Sequence, residues 1–292
     1  LNPLFSSMVA RDIFSPAQKF QVGEYSYVKD RGYAFEQKLD RNAGHLLGGQ
    51  LKEYISDEQQ ARIPLMIFNS TIAQDVRRMM ISTQPLRFMM KPAKDAGDTA
   101  TSPDAVDFAS YFAKQDPLNV RLLTALRMNA TFPYVLPNVW LPTNPVIDVM
   151  DAGLRDNFGQ ETALRLIDYF QDWLKENTSA VVLIQLRDRM QDNWQEPYQT
   201  GSVSDFLIKP ATMLQHNWQK LQDYSATDQF SYLEANTTLN LHRVVFMYVP
   251  QSEQKSAALN FHLTAAEKRD VKASFRHSFN QASQKKVLQF LR

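Results

Sequence analysis

Pro145-Val146-Ile147-Asp148-Val149-Met150-Asp151-Ala152-Gly153-Leu154-Arg155-Asp156-Asn157-Phe158-Gly159 is the stretch whose reading decides the fold. After the proline, Val146, Ile147, Val149 and Met150 are apolar and mostly β-branched, the composition of a strand. The strand stops at Asp151-Ala152-Gly153, where small residues permit a tight turn. Residues 160–177 then set Leu164, Ile167, Phe170, Trp173 and Leu174 on one helical face. A second apolar run, residues 180–186, reads as another strand. Strand, turn, helix, strand is a βαβ unit, and open α/β sheets place their chemistry at the carboxyl ends of such strands. Asp151 stands on that lip. By turn chemistry alone it is either a site residue or a carboxylate capping the helix or its opening turn.

Working outward, residues 63–71 read as a buried strand ending in Asn69-Ser70-Thr71, and residues 79–83 as another strand. The polar triplet is itself a reasonable turn cap. Residues 104–112 and 118–128 have helical spacing, the second aimed at a Phe132-Pro133 turn, while the proline-flanked segment 91–103 reads as a mobile surface loop. Asp30 is a natural cap for a helix that follows it. Leu39, Leu46, Leu47, Leu51 and Ile55 extend a helical pattern that breaks among Gly44, Gly48 and Gly49. Residues 4–14 are helical in spacing. Downstream, 188–201 is a polar connection, and 203–223 a helix in which Pro210 marks a start or kink. Residues 230–233 read as a short helical piece and 239–249 as a last core strand. Thr264 to Glu267 matches a capping box, and 279–291 closes the chain as an amphipathic helix. The expectation is one domain over 1–292, α/β in class, with a mainly parallel sheet flanked by helices.

Composition narrows the function classes. The 292 residues are 44% hydrophobic and 22% charged, as in globular proteins. Net charge is +1, from 32 basic and 31 acidic residues, which argues against a nucleic-acid partner. Arg77-Arg78 and Lys285-Lys286 read as solvated faces. No apolar run reaches the roughly 18 residues a membrane-spanning helix needs. The absence of cysteine excludes disulfides and thiolate metal sites and leaves the compartment open. The opening Leu1-Asn2-Pro3-Leu4 has no signal-peptide pattern and reads as a cut from a longer polypeptide.

Two motifs resemble the patatin-like phospholipases. Asp151-Ala152-Gly153, with Asn157 beyond, resembles that family's Asp-Gly-Gly/Ala segment. Residues 125–137, with Phe132-Pro133 and Pro137, resemble its small-residue helix end followed by Phe-Pro and a second proline. Asn69-Ser70-Thr71 resembles a triplet that ends a core strand near the family's active centre, and Asp30-Arg31-Gly32-Tyr33 a segment of its long bacterial members. The resemblance implies hydrolysis of lipid acyl esters, phospholipids foremost, by a Ser–Asp dyad without a cofactor. Asp151 would be the base, with Gly153, Asn157, Asn69, Phe132 and Pro133 around it.

The family's Gly-x-Ser-x-Gly elbow and glycine-rich oxyanion loop do not occur in these residues. The chain therefore reads as the aspartate-bearing, incomplete part of a patatin-like domain, inactive alone, whose partner is the upstream part of its parent. The alternative is a non-catalytic patatin-like scaffold. A half-sheet would leave an open edge for another copy to pair with. Use of Ser70 or Ser82 as nucleophile ranks last, since neither has flanking glycines. His45, His216, His242, His262 and His277 sit in no catalytic pattern, and no metal-binding spacing occurs. Met79-Met80 and Met89-Met90 with Phe88 read as ordinary core or as an acyl pocket. Trp140-Leu141 reads as an apolar lip reaching toward a membrane surface or as a half-buried pair.

Overall fold

The structure, a computed structural model, describes residues 18–95, 97–131, 138–188, 203–252, 256–257 and 263–291. The helix expected over 4–14 and the Phe132-Pro133 turn lie outside these residues. β1 (Lys19–Val22) and β2 (Tyr25–Val28) form an antiparallel hairpin turned at Gly23, whose φ of +58° suits glycine. Asp30 then opens α1 (Arg31–Asn42) by accepting the Tyr33 N–H at 2.8 Å. The expected break falls between α1 and α2 (Leu51–Gln59), with Gly44, Gly48 and Gly49 all in the connection.

β3 (Ile67–Ile72) and β4 (Arg78–Ser82) follow, then β5 (Ala105–Asp107) and the one-turn α3 (Phe108–Tyr111). The helix expected over 104–112 thus begins as a strand, and Asp107 caps the turn that ends it. α4 (Leu122–Asn129), β6 (Val139–Leu141) and β7 (Ile147–Met150) complete this part. Five strands form one sheet in the order β5-β4-β3-β7-β6. The class is mixed α/β as expected, but this sheet is mostly antiparallel, with only β4 and β5 parallel. The reason is the short links 73–77 and 142–146, which can only return a strand antiparallel to the one before.

The βαβ reading is corrected. β7 pairs with β3 and β6, whereas β8 (Val181–Arg187) pairs in parallel with β9 (Leu241–Met247) in a separate sheet. The helix expected over 160–177 is two helices, α5 (Gln160–Tyr169) and α6 (Gln171–Asn177), divided at Phe170. The division breaks the common face: Leu164 and Ile167 are buried, but Phe170 and Trp173 are 44% and 57% exposed. Residues 203–223 and 230–233 belong to one helix, α7 (Val203–Asn236). α8 (Ala265–Ser274) opens with the expected Thr264–Glu267 capping box, and α9 (Ser278–Phe290) ends the described chain.

By their contacts these elements form two compact units, Leu1–Asn157 and Phe158–Arg292, where the sequence reading took 1–292 together. The first buries Phe68, Met79, Ile81, Val106, Ala125, Met128, Val139 and Val149 among others. Met79, Met80 and Met89 are interior core residues. Leu141 is buried and Trp140 exposed on β6. The second centres on Leu164, Ile167, Phe230 and Leu241. Among the described residues no helix is long and apolar enough to cross a membrane.

Charge is buried in the first unit as well. Glu36 accepts from Arg121 Nη1 at 2.7 Å and pairs with Arg127 Nε at 3.3 Å, while Arg127 Nη1 donates to Asp30 at 3.0 Å. Burial pushes the Glu36 carboxyl up, and the two guanidiniums pull it back. The Arg121 guanidinium lies 5.3, 5.5 and 5.6 Å from the ring centres of Phe20, Tyr27 and Tyr33. A Cβ at position 32 would meet Arg127 Nη1 at 1.8 Å, so the Asp30-Arg31-Gly32 sequence needs its glycine to let the guanidinium pass. The solvated reading of Arg77-Arg78 holds for Arg77, which pairs with Asp75 at the surface, and fails for Arg78, 1% exposed. Lys285 and Lys286 are exposed as expected.

Candidate active site

β7 is held on both sides, and its register with β3 pairs Thr71 with Met150. One residue later the chain leaves the sheet. Asp151 opens a 3-10 turn, Ala152–Leu154, by accepting the Gly153 N–H on Oδ1 at 2.6 Å. Thr71 Oγ1 donates to the Asp151 carbonyl at 2.9 Å, so the strand end is pinned at its backbone. Burial pushes the Asp151 carboxyl above the ordinary carboxylate value, and the Gly153 N–H offsets only part of that. Asp151 is only partly buried, and its Oδ2 has no hydrogen-bond partner among the described residues. One oxygen is thus tied to the turn, and the other makes no hydrogen bond to the described residues.

Gly153 is where the motif converges. A Cβ there would lie 2.7 Å from Asp151 Oδ1 and 2.8 Å from Asn157 Oδ1. Asp151, Gly153 and Asn157 therefore lie together in one turn, and the glycine is a space requirement. Gly153→Ala should cost about 1–3 kcal/mol through this overpacking, read as a lower urea midpoint with an unchanged slope.

Asn69 stands on β3, which packs against the same turn, and its N–H donates to Asn129 Oδ1 at 3.0 Å. Asn129 in turn donates to Ala125 O, so the carboxyl end of α4 is tied to β3. Phe132 and Pro133 lie outside the described residues. Sequence reasoning missed the support beneath the turn. Arg78 Nη2 reaches Asp104 Oδ2 at 3.3 Å and Nη1 reaches Asp156 Oδ2 at 3.9 Å, while Arg155 also pairs with Asp104 at 3.2 Å. These ion pairs fasten residues 155–156, just before Asn157, to the first residue of β4. An arginine at the mouth of the apolar run Met79-Met80-Ile81 was the available signal.

Other pairings are structural. Ser110 Oγ donates to Asp107 Oδ2 at 2.5 Å, a Ser–Asp pair in form, but Asp107 also accepts the N–H groups of Leu86 and Ala109 and is buried. Its oxygens are thus occupied in holding the β5–α3 turn. The Ser70 hydroxyl is enclosed, and Ser82 Oγ accepts the Gln84 N–H. His45 bonds Asp40 in an exposed turn, His277 caps α9, and His242 packs on Phe290. The side chains of His216 and His262 lie outside the described residues. Among the described residues no three His, Cys, Asp or Glu side chains gather as metal ligands. Compared with family models and with curated proteins, the chain matches none.

Proposed function

We propose that this chain supplies the general base of a Ser–Asp acyl hydrolase of patatin-like type, acting on lipid acyl esters and on phospholipids foremost. The observation that carries the reading is Asp151 itself: a half-buried carboxylate at a strand end, one oxygen anchored to Gly153 N–H, the other unbonded among the described residues, its proton affinity raised by burial. Such a group suits proton abstraction better than a fully hydrated one. The serine comes from polypeptide outside these 292 residues, since no elbow motif lies within them. Its Oγ attacks the acyl carbon while its proton passes to Asp151 Oδ2. The same proton then goes to the departing alcohol; water, deprotonated in its turn by Asp151, attacks the acyl carbon, and that proton returns to the serine oxygen as the acid leaves. No cofactor enters these steps.

On this reading the chain alone is inert toward p-nitrophenyl esters and phospholipid vesicles, and the complete gene product hydrolyses them. The base works only when ionised, so kcat/KM should rise with pH through a carboxyl pKa displaced above its ordinary 3.8. A flat acid limb down to that ordinary value would contradict the assignment. The scaffold reading rests on the same missing elbow, and an inactive complete gene product would favour it.

A further inference from the structure

Charge in this chain is unevenly placed. Residues 264–292 carry seven bases and two acids, whereas residues 1–263 carry twenty-five bases and twenty-nine acids. No aspartate or glutamate occurs after Asp270. The near-zero net charge of the whole conceals a basic pair of C-terminal helices, α8 and α9.

The two acids of this segment serve the fold. Glu267 Oε2 accepts the Thr264 N–H at 2.7 Å, completing the cap of α8. Asp270 accepts from the Tyr248 hydroxyl on Oδ2 and from the Gln251 N–H on Oδ1 at 3.2 Å. The bases have no such occupation. Lys268, Arg269, Lys272, Arg276, Lys285 and Lys286 are all exposed, and none makes an ion pair with a described residue. Residues outside the described ones bring four acids and four bases, so they hold no net charge to set against this excess.

Helical spacing sorts the exposed side chains of α8. Lys268 and Lys272 stand one turn apart, and Val271 and Phe275 stand one turn apart in the row beside them. Val271 is 40% exposed and Phe275 55%, although Phe275 also stacks on Phe246 at 5.8 Å. Ser274, on the opposite side, is buried and accepts the Val249 N–H at 2.7 Å. Cations and apolar groups therefore alternate on the outward face, while the inward face holds the fold.

We propose that this outward face of α8 docks on the surface of an anionic phospholipid bilayer. Each lysine or arginine brought to such a surface raises the partition by about fivefold. The apolar row then enters the boundary between headgroups and acyl chains, where an interfacial helix gains from burying it. A nucleic acid would answer the cations but offer the aliphatic Val271 no apolar layer. Lys285 and Lys286 of α9 add charge of the same sign. This inference does not depend on the role of Asp151.

Because the chain has no cysteine, Val271→Cys gives a single site for an environment-sensitive nitrobenzoxadiazole label. With vesicles of equal parts phosphatidylserine and phosphatidylcholine, the labelled chain should cosediment and its emission should shift to the blue. With phosphatidylcholine alone it should do neither. Adding Lys272→Gln and Arg276→Gln should weaken binding about twentyfold, for two charges removed, and leave the melting temperature unchanged. Equal binding to both kinds of vesicle, or undiminished binding by the glutamine variant, would overturn the proposal. So would cosedimentation without an emission shift, since another face would then make the contact. Failure to bind the mixed vesicles would also overturn it, and binding to duplex DNA in that case would assign the face to a nucleic acid.

Discussion

Asp151→Asn in the complete gene product should lower kcat by about a hundredfold to ten-thousandfold and, at neutral pH, raise the melting temperature. The two effects share one cause. Burial favours the protonated carboxyl, so holding Asp151 ionised in the fold opposes folding. The unfolded chain releases that proton near 3.8, the native chain only at higher pH. Between the two values the native state binds more protons than the unfolded one, and stability falls as pH rises. The asparagine variant escapes this loss, and its Oδ1 still accepts the Gly153 N–H, since asparagine caps as well as aspartate. Its advantage should be absent below 3.8, grow through the window and be complete above it. Asp151→Ala loses the cap too and should gain less. Thermal melts of the three proteins from pH 3 to 8, beside their turnover, separate a functional carboxylate from a merely capping one: a cap alone predicts no loss of kcat for the asparagine variant.

Arg78→Met should destabilise the first unit by about 3–5 kcal/mol, because it removes one partner of buried ion pairs, the guanidinium that faces both Asp156 and Asp104. Asp156 is almost fully buried, and Arg78 is itself enclosed at the start of β4. Methionine fills much of the arginine's volume, so packing loss is the smaller part. The double variant Arg78→Met/Asp156→Leu should recover a large fraction of the stability, since exchanging a whole buried pair for apolar groups is often neutral. Denaturant melts of both single variants and the double close the cycle. Additivity, with the double as unstable as the singles summed, would mean that Asp104 is the arginine's real partner. The single variant should also loosen residues 155–157, and hydrogen exchange at Asn157 reads that directly.

What the sequence disclosed was local, and what it hid was distant. Asp30 and the Thr264–Glu267 box act on amides within a turn of themselves, and their patterns are visible in a few letters. The β7 strand and its abrupt stop at Asp151-Ala152-Gly153 are legible for the same reason. Which strands share a sheet is not. β7 finds β3, far back along the chain, instead of β8 beyond the next helices, and nothing in either strand's composition announces the choice. Arg78 looked solvated because its partners Asp104 and Asp156 are remote in sequence. The split at Phe170 is subtler still: the helical spacing runs through it unbroken, and only the backbone turn there shows that Trp173 faces outward.

The cluster of Asp30, Glu36, Arg121 and Arg127 is electrically neutral, two carboxylates against two guanidiniums, in space with little room for water. Neutrality of that kind constrains descent. A lineage that changes one member first must survive with an uncompensated charge inside the protein, so drift at these positions is confined to paired exchanges. Gly32 is bound into the same set, because any larger residue there evicts an arginine. Positions 30, 32, 36, 121 and 127 should therefore be inherited as one character.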